Sequence, residues 1–82
     1  MNPSVVFPVK GTAVTVTTAR PGTPTMNFRG EFVSHGPVKT DMGLSHRDYV
    51  QLRRQDGVMP DGTPIYKMQQ IPASNVLRVS FR

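Results

Sequence analysis

The chain has no cysteine in its 82 residues. That removes disulfides, thiolate nucleophiles and cysteine-type zinc sites together. Small secreted domains usually depend on such staples, so their absence points to a reducing, cytoplasmic setting or to support from a second copy of the chain. No stretch approaches the roughly 20 apolar residues of a membrane helix. The first ten residues also lack the basic start and apolar run of a signal peptide, so no membrane partner is expected. Acids are scarce, five against ten Lys and Arg, giving a net charge of +5.

The residues that carry catalysis are scarce too. A general acid–base pair needs two titratable groups converging within hydrogen-bond reach. The histidines are His35 and His46. His35, Asp41 and His46 could gather round a metal only if the segment joining them folded back. The serines have no nucleophile-elbow surroundings, and the loop between Gly36 and Gly43 lacks the Gly-Lys-Ser/Thr ending of a phosphate cradle. The expectation is a non-enzyme with no catalytic residue, no metal site and no cofactor.

Eighty-two residues leave room for one domain spanning 1–82. A chain of this length hides only about 60–65% of the surface its unfolded form exposes, so a homo-oligomer, in the first place a dimer, is an expected source of added stability.

Eight prolines and seven glycines cut the chain into short pieces. A strand is expected from Ser4 to Lys10, then a tight turn at Lys10-Gly11. Residues 12–20 (TAVTVTTAR) follow as the strongest strand by composition, with Val14 and Val16 on one face. Pro21-Gly22-Thr23-Pro24 reads as a turn. Residues 26–35 alternate, with Met26, Phe28 and Phe32 facing a core and Asn27, Arg29, Glu31, Val33 and His35 facing away. Gly30 marks a bulge or a coiled strand there.

After a connection from Gly36 to Gly43, Ser45 has the position of a helix N-cap, with Asp48 three residues on and Leu44 and Tyr49 placed as a hydrophobic staple. These signals predict a short helix over 46–55, with Arg53 and Arg54 in its last turn. A turn at Met59-Pro60-Asp61-Gly62-Thr63-Pro64 leads to a strand over 65–71. A tight corner follows at Pro72-Ala73-Ser74-Asn75, then a strand over 76–81 with Leu77, Val79 and Phe81 inward.

The element order is β-β-β-α-β-β. This predicts a mainly β chain with one short helix, a small five-stranded barrel of OB-like order. The segment Ile71-Pro72-Ala73-Ser74-Asn75-Val76 resembles the proline-containing 3₁₀ corner that leads into the final strand of SH3-like barrels, and that resemblance implies an SH3-like barrel as the alternative.

Of the ten bases seven are arginine, at 20, 29, 47, 53, 54, 78 and 82. Its rigid, weakly hydrated guanidinium suits phosphates and stacked bases. The expected function is therefore binding of nucleic acid, single-stranded and with little sequence preference, through a basic sheet face. Arg29, Lys67, Arg78 and Arg82 form that face, Arg53 and Arg54 add positive potential, and Tyr66 offers a ring outside the core. The scarcity of exposed aromatics favours a grip led by the phosphate backbone. The rival expectation is an acidic protein surface as partner. The chain would then be an interaction or assembly module: an inhibitor, an adaptor, or a phage structural or accessory protein. The apolar Val58-Met59-Pro60 or an exposed edge strand would make the contact.

Overall fold

The computed structural model describes residues 5–81. Val and Thr alternate in VTVTT, and the pleat takes up that alternation: β1 (Ala13–Arg20) buries Val14 and Val16 on one face. Pro21-Gly22 turns the chain, with Gly22 at φ +79°, and Thr23 Oγ1 donates to the Arg20 carbonyl across the turn. The next strand, β2 (Thr23–Thr40), is 18 residues long and runs through the expected connection to a tight turn at Asp41-Met42. The chain then returns as β3 (Gly43–Val58), β4 (Pro64–Pro72), a 3₁₀ turn (Ala73–Asn75) and β5 (Val76–Phe81). All pairings are antiparallel, in the order β4-β3-β2-β1-β5, so β4 and β5 are the edges of one five-stranded sheet.

The chain is mainly β, as expected, but two elements differ. The helix expected over 46–55 is the middle of β3. A helix would set Val50 and Leu52, two residues apart, on nearly opposite sides, whereas a strand faces both the same way. Both are fully buried, at 0% exposure. Ser45 makes no helix cap. Its hydroxyl accepts from the Val38 N–H and donates to the Arg47 carbonyl, which ties down the point where β2 slips register between Pro37 and Lys39. Leu44, the expected staple residue, is exposed. Without that helix the OB-like element order is lost.

The expected first strand is likewise absent. Residues 5–9 run along the core without a ladder, Val5 and Phe7 packed on it, and Lys10-Gly11 turns as expected. Ser4, where that strand was to begin, lies outside the described residues. The strand count of five thus comes from a different set of segments.

The core joins Val14 and Val16 of β1, Phe32 of β2, Val50 and Leu52 of β3, Ile71 of β4 and Val76 of β5, with Phe28 and Val79 partly buried against it. The inward residues of β5 differ from the expected set. The β1–β5 ladder slips between Thr17 and Thr18, pairing Thr18 with Val76, so Val76 enters the core and Leu77 is half exposed. A bulge adds one residue and turns the alternation over.

The β3–β4 turn carries a hydrogen-bonded aspartate. The Thr63 N–H donates to Asp61 Oδ1 at 2.9 Å. This bond, with the Thr63 hydroxyl second, holds the Asp61 carboxyl below the usual aspartate range. A folded value below the unfolded one contributes stability in full above the unfolded pKa of about 3.9 and loses it as pH falls through the folded value. Asp61 is therefore expected to titrate below that ordinary value in a carbon-detected NMR titration. A midpoint at or above it would mean the turn bond is not made in solution.

Candidate functional site

The sheet forks at Glu31. Up to that residue β2 pairs with β1, the last rungs being Thr15↔Arg29, Val14↔Gly30 and Ala13↔Glu31. From that residue on β2 pairs with β3, beginning at Glu31↔Arg53. Past Arg53, β3 keeps only β4, through Arg54↔Lys67 and Gln55↔Tyr66. The first half of β2 and the last third of β3 therefore diverge, and an open groove of about 920 Å³ lies between them. Its lining includes Arg29, Glu31, Arg53, Arg54, Tyr66 and Phe81.

Gly30 stands where the strands part. A Cβ there would lie 2.9 Å from the Arg53 carbonyl oxygen and 3.4 Å from Leu52 Cβ, so β3 approaches more closely than a side chain allows. The glycine between Phe28 and Phe32 is what lets one strand serve two halves of the sheet.

Register then places the charges. Arg29 and Glu31, two apart on β2, share a face, and Arg53 lies directly opposite Glu31. Arg53 Nη2 donates to Glu31 Oε2 at 2.7 Å. Tyr66 is the diagonal neighbour of Arg53 across β3–β4, and the guanidinium carbon sits 4.5 Å from its ring centroid. Both side chains of the ion pair are nearly half exposed, so the pair contributes at most about 1 kcal/mol to stability. Its main effect is to hold Arg53 in place. Three arginines against one glutamate make the residues lining the groove net positive.

Of the residues expected at the interface, the groove gathers Arg29, Arg53, Arg54 and Tyr66. Lys67 is the ladder partner of Arg54 but does not line the groove. Arg78, on β5 two residues short of Ser80, pairs with Thr17 and does not line the groove either. Arg82 lies outside the described residues. His35 was expected on the outward face with Arg29. The β2–β3 register slips between Phe32 and Ser34 and turns it over, so it sits opposite Val50 with its ring stacked 4.4 Å from that of Phe7.

Glu31 and Phe81 also line the groove and were not among the residues expected there. Glu31 shares the outward alternation of Arg29, which was visible in the sequence. Phe81, expected to face inward, is 41% exposed at the end of β5. The chain matches no protein-family model, no curated protein and no solved structure.

Proposed function

We propose that this chain is a small non-catalytic binding domain whose fork groove takes single-stranded nucleic acid. The observation that carries this reading is the joining of three arginines and two partly exposed rings, Tyr66 and Phe81, in one open groove. Guanidiniums track phosphates while flat rings take bases, and this combination grips single strands with little regard to sequence. We also read the coiled sheet as an SH3-like barrel. The 3₁₀ turn leading into β5, the place of β5 beside β1, and the sharing of β2 between two halves support that reading.

The test is fluorescence anisotropy of labelled oligo-dT titrated with protein at about 50 and about 200 mM salt, with affinity expected to fall steeply as salt rises. Replacing Arg29 and Arg54 by alanine together should weaken binding and flatten the salt slope by about one to two units. Arg78→Ala, outside the groove lining, should have a smaller effect on both. An unaltered slope in the double variant would detach the function from this groove.

A second reading rests on β4. This edge strand leaves Ile65, Tyr66 and Met68 between 42% and 50% exposed, beside Val58 and Met59. Such an edge suits pairing with a second copy. Concentration-dependent mass in the absence of nucleic acid would favour it.

A further inference from the structure

We infer that Glu31 selects guanine at one nucleotide of the bound strand; this rests on the nucleic-acid reading above. A carboxylate in a groove meant only for phosphates would repel them, and Glu31 is the one acid among the described residues that line it. The ion pair with Arg53 holds it in position, and Oε1 has no hydrogen-bond partner among the described residues. An ionised carboxylate only accepts hydrogen bonds, and each of its oxygens can take more than one.

The bases differ in what they offer to such a group. Guanine alone sets two N–H donors side by side on its pairing edge, N1–H and the N2 amino group. Adenine and cytosine set one donor beside an acceptor, and thymine has a single N–H between two carbonyls. Guanine also carries two adjacent acceptors, O6 and N7, which match an arginine fork. Arg29 stands two residues from Glu31 on the same strand face and has no ion pair among the described residues. A base stacked against Tyr66 and Arg53 would present its edges to these two side chains. The result is a preference at one position within otherwise sequence-tolerant binding.

The experiment uses labelled dT octamers whose central nucleotide is dG, dA, dC or deoxyinosine, titrated by anisotropy with the whole chain and with Glu31→Gln. The dG octamer is expected to bind about tenfold more tightly than the dA, dC and all-dT octamers. Inosine, which lacks the N2 amino group, should lose most of that gain. Glu31→Gln should abolish the preference, so that for this variant the dG octamer binds no more tightly than the all-dT octamer; its circular dichroism and thermal midpoint report that it is folded. Equal affinity for all the octamers would overturn guanine selection and leave single-strand binding standing. A guanine preference that survives in Glu31→Gln would overturn the role of Glu31. Failure to bind any octamer at low salt would overturn both this inference and the reading beneath it.

Discussion

Leu52→Ala is expected to remove about 2–5 kcal/mol of stability, seen as a lower urea midpoint. Leu52 is at 0% exposure in a core cluster drawn from all five strands, so truncation leaves a void in the part of the core that holds the sheet together. A chain of 82 residues has in total about 4–12 kcal/mol of stability, so the variant approaches the unfolding threshold. Val50→Ala should cost about 2–3 kcal/mol as well. The pair of results matters more than either alone. Two costly truncations two residues apart are what a buried strand face requires, whereas a helix over the same residues would make one of them nearly neutral. A change below about 1 kcal/mol at either position would contradict the packing of β3 described above.

Gly30→Ala should destabilise by about 1–3 kcal/mol, by overpacking. In a strand with ordinary backbone angles, the same replacement commonly gains about 0.4–1 kcal/mol by restricting the unfolded chain. The sign is therefore diagnostic. The new Cβ would press on the Arg53 carbonyl at 2.9 Å, and a backbone oxygen in a ladder cannot swing aside as the end of a long side chain can. Relief means moving β3 away from β2 at the fork, which also shifts Arg53 relative to Glu31. Denaturation should thus show a loss, and oligonucleotide affinity should change with it. A stabilised Gly30→Ala would show that the strands do not approach so closely.

The turns were legible in the sequence because their chemistry is local. Pro21-Gly22, Asp61-Gly62 and the Pro72 corner each carry a backbone preference that needs no distant partner. Buried faces were legible for Val14 and Val16 and for Phe32 with the partly buried Phe28, whereas Met26, expected on that same face, is 53% exposed. Errors arose where a local signal competed with a distant one. Ser45 and Asp48 have the spacing of a helix cap, but a serine oxygen serves a β-bulge equally well, and the long second half of β2 offered Val50 and Leu52 a ladder. Register slips were the other blind spot. One extra residue, Val33 on β2 or Leu77 on β5, turned His35, Val76 and Leu77 to unexpected faces. The groove followed the same pattern. Its arginines stood out by type, whereas their meeting depended on a strand changing partners at Gly30.

The fork also decides where a probe can be attached. Ser80 and Phe81 line the groove, so a bulky probe attached at the end of β5 sits next to whatever binds there. At the other extremity the hairpin tip holds Met42, 96% exposed, eleven residues beyond Glu31 and so roughly 30 Å along the strand direction. A dye or surface tether at that tip would report on the groove without occupying it, and a C-terminal tag could make a competent protein look inert.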